Sequence, residues 1–155
     1  MQKTAFFFFI LMMMMMSATS GTRAQHQAYL LYNKSGNETD FKAMARQLQQ
    51  ADVVLFGELH NNPICHWLQL EVAHALHQSL GDSLVLAAEM FEADDQLVLD
   101  EYLSGVIREN HFTTEAKIWN NYQTDYKPLV EFAQDKGLAF VASNIPPRYA
   151  SLVSR

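Results

Sequence analysis

Two carboxylates and an imidazole stand where apolar runs end. Val53-Val54-Leu55-Phe56 leads into Gly57-Glu58-Leu59-His60, and Leu84-Val85-Leu86-Ala87-Ala88 leads into Glu89-Met90-Phe91-Glu92. A third apolar run, Leu138 to Ala142, leads into Ser143-Asn144. In an open parallel sheet, ligands settle in the crevice beyond the carboxyl ends of the strands. Three such exits would bring Glu58, His60 and Glu89 to one cleft. One nitrogen and two oxygen donors suit a divalent metal such as zinc or manganese, with positions left for water. The same three groups would then be the catalytic set of a metal-dependent hydrolase that activates this water. Without a metal, a carboxylate raised in pKa by burial serves as acid or base. The plainer alternative has Glu58 bonding a loop amide, Glu89 pairing with a basic side chain and His60 as an ordinary polar residue. Gly57 permits the turn that would aim side chains into the cleft.

Tyr149, beside Arg148, follows the third exit. A phenolate is a hard anionic ligand for ferric haem iron, and an arginine pairs with a propionate; helix packing is the competing explanation for this tyrosine. His66, His74 and His77 lie opposite the row Ile64, Leu68, Val72, Leu76, Leu80 and are expected to face solvent or a partner. Cys65 is the single cysteine, so no internal disulfide can form; a buried, inert thiol is expected there. Trp119, Tyr122 and Tyr126 read as core packing. Neither a Cys-x-x-Cys-His for covalent haem nor a Walker loop, Gly-x-Ser-x-Gly elbow or dinucleotide fingerprint is present.

The elements that must position these residues follow from pattern and punctuation. Ala28–Tyr32 predicts an edge strand, followed by a turn at 33–37. Thr39 or Asp40 caps a helix through Gln50, with Phe41, Met44, Ala45 and Leu48 on one face. Val53–Phe56 reads as a strand buried on both faces. Pro63 starts a helix that Gly81 ends, and Leu84–Ala88 is a second buried strand. Asp94 or Asp95 starts a helix toward Gly105, Thr113 or Thr114 caps another toward Tyr122, and Pro128 enters one that ends at Gly137. Leu138–Ala142 is a third buried strand. Ile145-Pro146-Pro147 forces an extended exit, and residues 148–155 open a helix. Apolar strands alternating with helices predict an α/β fold with a parallel β-sheet core flanked by helices.

The 155 residues carry a formal net charge of -6 and are 49% hydrophobic. An acidic balance argues against nucleic acid as a partner. Lys3, the apolar run Phe6–Met16 and a small residue at Ala24 form the layout of a secretory signal peptide over residues 1–24. Without it, 9 basic side chains face 17 acidic ones. A periplasmic or cell-envelope location is therefore expected. No cysteine near the cut offers a lipid anchor.

Taken together, 53–60, Ala88–Glu92, Asp94–Gly105, Trp119–Tyr122, Tyr126–Val130 and Ala142–Pro146 resemble the ChaN family of haem-binding, iron-regulated proteins, within the wider Tiki/ChaN-like superfamily. The likeness covers most of residues 50–152, and the order and spacing of its motifs make it specific. It implies that residues 25–155 form the N-terminal part of a larger ChaN-like haem-binding domain whose C-terminal part is missing. It also implies export, a role in haem or iron uptake or trafficking, and haem held between two copies with tyrosine coordination. Tyr149 is the candidate ligand, with His60 and Arg148 as further haem-binding residues and strand-exit side chains such as Phe91 shielding the porphyrin. A homodimer and an outer-membrane haem receptor or transporter are the expected partners. The related Tiki proteases resemble this chain only at Gly57-x-x-His60, where their motif supplies a metal-binding histidine. Pro147, where the family often carries a basic residue, departs from the pattern. The reading is thus a non-catalytic haem-binding protein, with the hydrolase built on Glu58, His60 and Glu89 as the alternative.

Overall fold

Asp40 opens the first helix, its Oδ1 accepting the Ala43 N–H at 2.7 Å. Helix α1 (Phe41–Leu48) follows, with Phe41, Met44, Ala45 and Leu48 turned inward at the predicted spacing. Upstream, β1 (Leu31–Tyr32) and β2 (Glu38–Thr39) pair antiparallel. Their turn is held by Asn33 Oδ1, which accepts from the Ser35 and Asn37 amides. The computed structural model describes residues 27–153; the leader expected over residues 1–24 and its cut after Ala24 lie outside the described residues.

Asn62 starts α2 (Pro63–Leu80) by accepting the Ile64 and Cys65 amides at 3.0 and 3.1 Å, with Pro63 in the first turn. Gly81 ends it at a φ of 55°, a left-handed value that suits glycine. Asn62→Ala should cost about 1 kcal/mol of stability, read as a lowered urea midpoint with an unchanged slope. The buried face differs from the one predicted. A row at steps of four drifts about 40° per step on a helix of 3.6 residues per turn, so Ile64 and Leu80 swing out to the surface. The buried stripe is instead His66, Val72, Ala73 and Leu76.

β3 (Val85–Glu92) and β4 (Ala139–Asn144) pair parallel, Val85 beside Ala139 through Ala88 beside Ala142, with an irregularity before Glu92 meets Asn144. Both strands are longer than predicted, so Glu89–Glu92 and Ser143–Asn144 lie within strands rather than past them. Side chains alternate: Leu86, Ala88, Phe140 and Ala142 face the helices, while Val85, Ala87, Val141 and Ser143 are exposed. At the irregularity Met90 and Phe91 are buried in succession, as a local break in the two-residue period allows.

Val53–Phe56 forms no strand and has no ladder partner among the described residues. Val54 and Phe56 pack on the core, whereas Val53 and Leu55 are 74% and 92% exposed. The expected three-stranded sheet, buried on both faces, is therefore corrected to a parallel pair with one face covered. A continuous apolar run implies a layer on each side, and among the described residues only one layer is there.

A short 3-10 turn at Ala93–Asp95 precedes α3 (Gln96–Leu103). Helix α4 (Glu109–Glu115) begins well before the predicted threonine cap and stops where Ala116 turns extended. Thr114 is internal, donating to the Asn110 carbonyl at 2.6 Å, and Asp95 accepts the Lys117 amide at 3.2 Å to fix the exit. A π-helical turn, Tyr122–Tyr126, buries both tyrosines and runs into α5 (Lys127–Lys136), which Gly137 closes at a φ of 65°. After β4 and the prolines, α6 (Pro147–Val153) forms as predicted. The core is aromatic: Phe91, Phe112, Tyr122 and Phe140 meet edge to face, and Tyr102 stacks on Phe112 at 4.7 Å.

Candidate functional site

Glu58 is the centre of a hydrogen-bonded cluster that the loop after Gly57 builds against α2 and the π-helical turn. Its Oε1 accepts from Tyr126 Oη at 2.7 Å and from His60 Nδ1 at 2.8 Å, and its Oε2 accepts from Gln69 Nε2 at 2.6 Å. Burial works to raise this carboxyl. The bonds from His60, Tyr126 and Gln69, with the field of His66, outweigh it and hold the pKa below the ordinary value. The same contact acts oppositely on Tyr126: burial first, then the Glu58 anion, pushes its phenol well above the usual range.

Glu58 sets the orientation of His60. With Nδ1–H given to a carboxylate, Nε2 carries the lone pair, on a side chain 52% exposed. Trp119 packs edge-on to the ring at 4.8 Å, and Tyr126 backs Trp119 at 5.6 Å. The loop backbone is pinned as well: the His60 carbonyl accepts from Asn121 Nδ2 at 2.7 Å and from His66 Nε2 at 3.0 Å.

His66 was expected to face solvent and is buried instead. Its Nδ1 lies 3.2 Å from Gln69 Oε1, an amide oriented by its own bond to Glu58. Both ring nitrogens thus face oxygens, and the carboxylates of Glu58 at 3.5 Å and Asp125 at 3.8 Å lie beside the ring. His74 is exposed as expected and His77 half-buried, each with its ring against Phe132, at 4.3 and 5.6 Å. Cys65 is half-buried, its Sγ 3.9 Å from the Gly57 carbonyl.

Glu89 lines the same cleft as Glu58 and Gln69, on the exposed face of β3. The cleft thus brings together two of the three predicted side chains, and the hydrogen-bonded pair Glu58–His60 brings together a different two. Among the described residues, no group of three or more His, Cys, Asp or Glu side chains is arranged to hold a metal ion. His66, Gln69, Asn121, Asp125 and Tyr126 were missed as site residues. The signal was there for two: Gln69 and His66 continue the Leu76–Ala73–Val72 stripe of α2 as a polar patch on a buried face.

Tyr149 and Arg148 form a second candidate surface. The Arg148 guanidinium sits 4.7 Å over the Tyr149 ring and donates to Asp94 at 2.6 Å. Lys117 joins Asp94 and Glu92, so the second strand exit and α6 are tied by charge. Tyr149 is 51% exposed, with Ile145 and Leu152 also exposed on this part of the chain. This surface thus sets an exposed phenol beside a guanidinium that Asp94 engages. Phe91, expected to shield a porphyrin, is 0% exposed and belongs to the core.

A family model described as haem-binding uptake, Tiki superfamily, ChaN matches residues 44–155. No curated relative matches the chain. A solved structure described as cofacial heme binding to ChaN of Campylobacter jejuni is similar, with a TM-score of 0.61 and 21% identity, covering 81% of this chain and 51% of that one. The chain thus spans about half the length of that neighbour, and the likeness is one of fold.

Proposed function

Because the chain belongs to the ChaN family of haem-binding uptake proteins in the Tiki superfamily, we propose that it is an exported haem-binding protein that passes haem, or its iron, onward. The observation that carries this is the family match, which runs through Tyr149 and the exposed surface around it. Haem supplies a ferric iron and a flat apolar face. Tyr149 Oη would hold the iron, Arg148 would pair with a propionate, and Ile145 and Leu152 would cover porphyrin edge. His60, its lone pair outward, is a second donor available to the same cargo. A surface tyrosine leaves one haem face open, which supports a homodimer closing over it; a cell-envelope receptor or transporter is the proposed recipient. Among the described residues no helix is long and apolar enough to cross a membrane. The proposed leader predicts a mature N-terminus at Gln25, readable by mass spectrometry of the exported protein.

Haemin titration tests the reading. The protein should shift the Soret band, Tyr149→Phe should weaken binding at least tenfold, and Arg148→Ala should weaken it less. An unchanged spectrum from a folded sample would count decisively against haem binding. A second reading rests on the Glu58–His60 pair, a half-buried carboxylate holding an exposed imidazole. It would need Glu89 to join them before a divalent metal could activate water, because among the described residues no three such side chains are arranged to hold one. Stoichiometric zinc or manganese after mild purification, lost in Glu58→Gln, would support it.

A further inference from the structure

Pro63, Trp67 and Leu70 share one face of α2, at steps of four and three. They form one wall of a pocket of about 190 Å³, and Thr124, Asp125 and Pro128, from the π-helical turn and the start of α5, form the other. The Trp67 indole is 44% exposed, and Tyr29 backs it at 5.7 Å.

Asp125 supplies the carboxylate of this lining, and its side chain is only 10% exposed. Its Oδ2 accepts from Asn121 Nδ2 at 2.8 Å and lies 3.8 Å from Nε2 of the buried His66. Its Oδ1 has no hydrogen bond among the described residues. Lys127, two residues on, turns away to Glu109 and Glu131. Among the described residues, then, no lysine or arginine pairs with Asp125. A carboxylate covered to this degree ordinarily has a cationic partner.

We infer that the pocket takes a primary ammonium carried on a short alkyl chain, as in a lysine side chain or a free alkylamine. The ammonium would donate to Asp125 Oδ1. The Thr124 hydroxyl, which gives its own proton to the Asn121 carbonyl at 3.2 Å, offers a second acceptor. The alkyl chain would lie along Trp67, Leu70 and Pro128, and the indole face attracts the charge as well. Nothing has to be displaced, because Oδ2 keeps its bond to Asn121. Other cations suit the pocket less. A guanidinium uses two parallel acceptors, and Asp125 has one oxygen to give. A quaternary ammonium has no N–H to donate, and a single indole makes no aromatic cage. Tyr149, Arg148 and His60 are not among the lining residues, so the outcome is separate from that of the haem reading.

Proton–nitrogen correlation spectra of the labelled protein test this. The chain has 2 tryptophans, hence two indole N–H signals, which Trp67→Phe assigns. Butylammonium should move the Trp67 signal saturably and the Trp119 signal far less. Neutral butanol and butyltrimethylammonium should bind about tenfold more weakly, for want of a charge or of a donor. Asp125→Asn, shown to be folded by its other amide signals, should weaken butylammonium binding by about tenfold. No saturable shift, an equal response to butanol, or unchanged affinity in folded Asp125→Asn would each overturn the inference. The ligand comparison needs only the wild type, so it decides the matter even where the variant fails to fold. A lysine capped at both ends separates the two sources. Binding as tight as that of butylammonium would support a lysine on a polypeptide, and binding of butylammonium alone would support a free amine.

Discussion

Glu58→Ala is expected to lower the unfolding free energy by about 3 kcal/mol or more, the largest effect of any polar substitution in the site. Three donors converge on this carboxylate, and two of them, Tyr126 and Gln69, lie on buried or half-buried elements. Each stranded buried donor costs about 1–3 kcal/mol, and His66 loses the nearer of its two carboxylate neighbours. Glu58→Gln should fall between, because one oxygen acceptor remains while the charge goes. Urea midpoints check both; wild-type-like stability in Glu58→Ala would show that the cluster contributes nothing to the fold. The acid limb provides a second reading. The folded carboxyl lies below its ordinary 4.5, so its contribution is complete above the unfolded value and is lost as pH falls through the folded one. Wild-type stability should therefore decline below about pH 4.5, and Glu58→Gln should show a shallower decline over the same window.

Phe91→Ala should cost about 3–5 kcal/mol and leave little folded protein at 37 °C, since a domain of this size has only about 5–15 kcal/mol to lose. The ring is 0% exposed and meets Phe112, Phe140 and Tyr122. Truncation would open a cavity where β3, β4, α4 and the π-helical turn converge. Phe91→Leu should retain most of the stability and, because the ring is core rather than cargo surface, bind haemin as the wild type does. A selective loss of haemin binding in a stable Phe91→Leu protein would return this residue to the haem site.

Much of the local structure was legible in residue order because its causes are local. Asp40 and Asn62 cap helices by bonding amides two or three residues on, and Gly81 and Gly137 end helices by accepting positive φ. Glu58 and His60 sit two residues apart beyond Gly57, close enough for the loop alone to join them. The strand ends were less legible. An apolar run shows where burial begins, but Glu89–Glu92 continue β3 because β4 offers a register, and that register lies more than fifty residues away. The threonine cap failed for a related reason: Thr113 and Thr114 had sequence features of a cap, while the α4 boundary is set by the packing of Phe112 and the Asp95–Lys117 bond.

The sequence by itself determined most of the helices, the apolar runs of β3 and β4 and the family, since each is written in short-range pattern or motif order. Only the tertiary structure decided that His66 and Tyr126 belong with Glu58. These side chains come from three separate stretches, and burial among one another makes their bonds strong. It also decided that, among the described residues, Val53–Phe56 joins no ladder and the outer face of the β3–β4 pair is exposed. Periodicity records which side chains seek cover, whereas whether cover arrives depends on contacts between distant parts of a chain.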